Sequence, residues 1–146
     1  MRSLLILQRM ALSLWVGGAA LFTFLLTPTL FRSLDRDHAG MIVGLLFPDY
    51  FRWGLCCGVI ALVSLLASRA RKTLAGAVII CAMLAITSLQ AFVIEPRAAT
   101  IKAQIPSFTT TPVDDPLRQE FKRLHAISAS GNLGVIGGGL LLLALL

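Results

Sequence analysis

From Leu74 to Ile94 the chain carries no charged side chain, and three other stretches are nearly as apolar. As an α-helix, a run of that length is about 30 Å long, the thickness of a bilayer's hydrocarbon core. The composition agrees: 57% of residues are hydrophobic and 14% charged, against about 25% charged in a soluble domain. These features exclude a soluble enzyme, a disulfide scaffold and a disordered tail. They predict an all-α integral membrane protein, a single four-transmembrane-helix bundle.

The spans are expected at about residues 4–30, 38–67, 74–94 and 118–146. The first is too long for a signal-peptide core, and no small-residue cleavage site follows it, so it is read as retained. Arg9 near its start can snorkel to the interface. Pro28 and Phe31 are expected to close it. The second segment would be roughly 45 Å long as one straight helix, so it must tilt, kink or lie partly in the interface. Pro48 is the natural kink, because it removes one backbone hydrogen bond. Glu95-Pro96 is expected to end the third span, and Pro106, Pro112 and Pro116 break up the polar stretch that follows.

Four spans put both termini on one side, with the basic 68–73 turn. All seven acidic residues and both histidines fall at or near the other side. The dense basic turn favours both termini being cytoplasmic, although the raw count of Lys and Arg is higher on the opposite side. The net charge of +6 comes from residues flanking apolar runs, where they anchor helices at headgroups; no nucleic-acid partner is expected. Cys56, Cys57 and Cys81 sit inside apolar runs and read as packing residues.

At helical spacing Gly40, Gly44, Phe47, Phe51, Gly54 and Gly58 share one stripe of the second segment. Gly40/Gly44, Gly54/Gly58 and Gly134/Gly138 are GxxxG pairs, which let helix backbones approach closely in lipid. Asp49 and Arg52 are spaced to pair, either as an interfacial lock on the kink or as the wall of a polar cavity. On the last segment His125, Ser128 and Asn132 share a face opposite Gly131, Gly134 and Gly138. Both faces then serve protein contacts, which predicts a helix central in the bundle or at an oligomer interface.

Several short pieces recur in order along almost the whole chain. They are Gly17-Gly18 with Phe22, Ala39-Gly40, the run Leu46-Phe47-Pro48-Asp49-Tyr50-Phe51, Glu95-Pro96, and Phe121, Leu124-His125, Ser128 and Asn132-Leu133. Together they resemble the transmembrane protein 205-like family, described in bacteria as a domain of unknown function. The resemblance implies a four-helix protein of a bacterial inner membrane and supplies no activity, cofactor or catalytic residue. In architecture alone the chain is also similar to small four-helix proteins of copper-resistance and haem-pathway types.

Three functions are carried forward. The first is binding or transport of a small solute or ion at the non-cytoplasmic end, through Asp49, Arg52, Glu95, His125, Ser128 and Asn132, with the glycine stripes packing an oligomer. The second is an accessory subunit of a larger membrane complex. The third is a haem- or metal-binding redox protein using His38 and His125, against which no single helix carries a paired-histidine spacing. No catalytic triad, phosphate loop or paired catalytic carboxylates stand out. Asp114-Asp115 reads as a solvated loop.

Overall fold

The computed structural model describes residues 2–68 and 73–145. The basic residues 69–72, on which the orientation argument leans, lie outside the described residues. Four helices are long and apolar enough to cross a membrane: α1 (Arg2–Ser33), α2 (Arg36–Ser68), α3 (Leu74–Ala103) and α4 (Pro116–Leu145). The described residues contain no strand.

Two expected helix ends are not ends. α1 runs past Pro28 to Ser33, and α3 runs past Pro96 to Ala103. Each helix widens just ahead of its proline into i→i+5 bonding, over Leu21–Leu26 and Gln90–Ile94. Thr27 N–H thus reaches the Phe22 carbonyl, and Glu95 N–H the Gln90 carbonyl. A proline ring presses on the carbonyl four residues back and offers no N–H. Those carbonyls belong to Phe24 and Phe92, both within the widened turns, so the helix absorbs the proline instead of stopping. Pro48 is also interior to α2, which continues through it to Ser68.

Aspartates start two of the helices. Asp35 Oδ1 accepts from the Asp37 and His38 N–H groups, both at 3.1 Å, and Asp115 Oδ1 accepts from Leu117 at 2.9 Å and Arg118 at 3.1 Å. Such caps satisfy amides that the helix leaves orphaned. The His38 amide and ring hold the Asp35 carboxyl below its usual value.

Each helix packs on the next, and α4 closes the ring against α1. The α1–α2 seam is built from tryptophan set against glycine. The Trp15 indole fills the notch left by Gly54 and Gly58, where a Cβ would lie 2.7 and 2.6 Å from its atoms. In return Trp53 of α2 lies over Gly18 of α1 and donates to the Leu14 carbonyl at 3.4 Å. The core lies toward the termini, around Leu12, Trp15, Leu65, Ile80, Met83 and Leu142. Gln8 is fully buried there, and neither end of its amide has a hydrogen-bond partner among the described residues.

The glycine pairs do not all do the same work. Gly54 and Gly58 face the Trp15 side chain, and Gly58 the Leu84 side chain as well. Gly40 and Gly44 face the Lys102 side chain, not a helix backbone. A Cβ on Gly138 would touch Met83, but one on Gly134 meets nothing within 4 Å, so that pair does not act as a unit within the chain. Nor is α4 central: its apolar part is less buried than that of α2. Outward side chains form an apolar belt, with Leu45 72%, Phe92 71% and Phe24 61% exposed. An apolar surface that continuous suits lipid.

Candidate functional site

Beyond the core the helices part. The final segment of α3, Glu95–Ala103, packs on α4 and reaches α2 through Lys102, whose Nζ donates to the Gly40 carbonyl at 2.5 Å. The space left between them is a cavity of about 600 Å³. That is within the range that takes a small organic ligand. Its walls are mostly apolar, including Phe31, Met41, Leu45, Phe47, Ala99 and Phe121. Its polar residues are Arg36, Glu95, Lys102, His125 and Ser128. Met41 and Leu45 of the lining are also part of the exposed apolar belt.

Glu95 and Lys102 share a face of α3 because they are seven residues apart, two helical turns. They interact electrostatically without a hydrogen bond. Gly40 and Gly44 face the ammonium: a Cβ on either would lie 3.4 or 3.6 Å from Nζ, at ordinary van der Waals contact. Pro48 adds a detail, since its missing N–H is the one that would meet the Gly44 carbonyl.

The polar loop after α3 covers the cavity's outer end. Asp37, at the start of α2, accepts from Ser107 Oγ at 2.6 Å, Phe108 N–H at 2.7 Å and Thr109 Oγ1 at 3.3 Å. This pins Phe108 against Phe121, ring centroids 4.9 Å apart, and the His125 ring stacks on Phe121 at 6.2 Å. Replacing Asp37 with alanine should free the loop. Its amide protection from hydrogen exchange should fall by about tenfold or more, given three bonds to a charged acceptor. Unchanged protection over residues 104–115 would mean that other contacts hold it.

Below the cavity, a polar tie joins three helices. Tyr50 Oη donates to Asn132 Oδ1, and Asn132 Nδ2 donates to Thr23 Oγ1. Gln90 Nε2 donates to the Ser128 carbonyl at 2.5 Å, linking α3 to α4. Both widened turns therefore contribute to this level, through Thr23 and Gln90. Interhelical hydrogen bonds in membrane proteins average about 0.6 kcal/mol. Asn132→Leu should then destabilise the bundle by about 1–2 kcal/mol, read by reversible unfolding in mixed micelles. Tyr50→Phe should lose about half as much.

Of the six residues that the sequence grouped, Glu95, His125 and Ser128 line the cavity. Asn132 lies in the tie beneath it. Asp49 and Arg52 pair at 3.0 Å, as their spacing predicts, but stand on the outer face of α2 with side chains 79% and 76% exposed. His38 is bound to Asp35 at 2.5 Å and is not among the lining residues, so the structure does not bring it to His125. Among the described residues, no three His, Cys, Asp or Glu side chains converge as a metal site would need. The sequence reading missed Lys102, Tyr50, Thr23 and Gln90 as site residues. The seven-residue spacing of Glu95 and Lys102 would have flagged the first, had Pro96 not been taken as the helix end.

Residues 10–107, more than half of the chain, match the pattern of one protein family. The chain belongs to that family, described as a domain of unknown function (DUF4149). A relative from Aquifex aeolicus (strain VF5), described as an uncharacterized protein, is 34% identical over 125 residues, covering 86% of this chain and 83% of that one. No solved structure matches. The DUF4149 match takes in α1 to α3 and the covering loop as far as Ser107, hence Gly40, Gly44, Glu95 and Lys102. The α4 contributions, His125, Ser128 and Asn132, lie beyond it.

Proposed function

We propose that this protein binds a small amphipathic solute in the lateral cavity between α2, α3 and α4, and passes it between the bilayer and the non-cytoplasmic face. The observation that carries this reading is the cavity itself. Its walls are mostly apolar, they include Met41 and Leu45 of the exposed belt, and they carry Arg36, Glu95, Lys102 and His125. Intramembrane ionisable groups usually mark a path or a site. We place the protein in a bacterial inner membrane with both termini cytoplasmic. We also regard the transmembrane protein 205-like proteins as wider kin of its family.

The test is photolabelling of the full chain in lipid nanodiscs with a panel of diazirine amphiphiles, charged and neutral. The reading expects labels on Met41, Leu45 or Phe121, lost in Ala99→Trp, which fills the cavity from an exposed lining position. Labelling that ignores Ala99→Trp would overturn it.

A second reading, association with another membrane protein, is favoured by one observation. The Asp49–Arg52 pair lies within the exposed apolar belt, between Leu45 and Trp53, where charges prefer a protein neighbour to lipid. Changing both to leucine should then abolish co-purification of a partner at fixed stoichiometry while leaving the bundle folded. A wild-type protein that stays a partnerless monomer in native-lipid discs would count against it.

A further inference from the structure

We infer that the solute is an amphipathic anion, a carboxylate or phosphate on an apolar body, and that Lys102 is the residue that recognises its charge. This rests on the solute-binding reading above and adds the ligand's chemistry to it.

An ammonium has three N–H donors and no acceptor. Among the described residues Lys102 has a single hydrogen-bond acceptor, the Gly40 carbonyl. The nearby carboxylates do not supply the others. Asp37 is engaged by Ser107, Phe108 and Thr109, and Glu95 interacts through space only. The side chain is half-buried in a cavity with mostly apolar walls, where a bond to an anionic acceptor is strong.

The lining carries two cations, Arg36 and Lys102, against one carboxylate, Glu95. Asp37, outside the lining, also acts on Lys102 but is already held by its own three donors. A monoanionic head would take up the remaining Lys102 donors. A cationic head would face two like charges across a poorly screened space. Glu95 then acts against over-charged ligands, a repulsive element of the kind that sets specificity. The apolar body has a defined place, along Met41, Leu45 and Ala99.

Gly40 and Gly44 lie against the Lys102 tip, and Lys102 bridges α3 to α2 through the Gly40 carbonyl.

The experiment uses full-length protein in phosphatidylcholine nanodiscs and two matched probes, a diazirine dodecanoic acid and the corresponding alcohol. Labelling of the cavity is normalised to labelling at outward-facing Phe92. The acid should exceed the alcohol by about tenfold or more, the scale of one charge-assisted hydrogen bond. Lys102→Gln should bring the acid down to the alcohol, Lys102→Arg should retain most of the difference, and Glu95→Gln should raise acid labelling. Unlabelled dodecanoate should compete, and inorganic phosphate should not.

Equal labelling by acid and alcohol would overturn the anion assignment while leaving the cavity a binding site. Absence of cavity labelling by either probe would overturn both readings. Competition by inorganic phosphate as strong as by dodecanoate would show a free-anion site and overturn the amphipathic part. Because Lys102→Arg keeps the charge and the reach across to α2, its failure to retain acid labelling while the bundle stays folded would also overturn the role given to Lys102.

Discussion

Replacing Trp15 with alanine should destabilise the bundle by about 3–5 kcal/mol, the range for removing a buried tryptophan. The indole is 3% exposed and fills the Gly54/Gly58 notch. With glycine opposite at both positions, α2 has no side chain at the notch itself to fill the void, so relaxation will recover little. Reversible unfolding in mixed micelles would read the loss. Trp53→Ala is the control: it removes the same chemistry from a side chain that is 49% exposed and should have a clearly smaller effect. Similar losses would mean that the two indoles contribute as lipid-interface anchors and not through the notch.

The converse change tests the same contact from the other side. Gly58→Leu should destabilise by about 3 kcal/mol or more, at or above the upper end of overpacking. Even its Cβ would lie 2.5 Å from Leu84 Cδ2 and 2.6 Å from Trp15. Gly134→Leu should be neutral or slightly stabilising, since nothing lies within 4 Å and glycine is the poorer helix former by about 1 kcal/mol. Adding Trp15→Phe to Gly58→Leu should restore part of the loss, because contacting residues are not additive. If Gly134→Leu instead disrupts an oligomer in native lipid, that face packs against another chain.

The contrast between those two glycines shows where sequence reasoning stops. A GxxxG spacing states that two small residues share a face. It does not state what lies across from them. Gly58 faces an indole, Gly40 a lysine and Gly134 nothing among the described residues, and the three look alike in sequence. The four helices, by contrast, were legible, because a charge-free run such as Leu74 to Ile94 has few other places to go. The pairing of Asp49 with Arg52 was legible too, being local to one helix; its position on the outer face was not.

The site was half legible for a related reason. Glu95, His125 and Ser128 stand out as polar groups on apolar helices, and they do line the cavity. Lys102 falls in the polar stretch after Pro96, and a proline at that place reads as a stop. Proline ends a helix only where the backbone cannot yield, and here the preceding turn yields. Tyr50, Thr23 and Gln90 find their partners on other helices, at separations no local pattern encodes.

The two widened turns also decide where this chain tolerates a change of length. Each holds one residue more than an ordinary turn. Deleting a residue within Leu21–Leu26 or Gln90–Ile94 would close the turn and leave everything downstream on its present face, provided the following proline were changed as well. The same deletion two turns away would swing the rest of the helix through about 100° and carry Glu95 and Lys102 off the cavity. Relatives that differ by single-residue gaps should therefore place them at these two points and drop the proline in step.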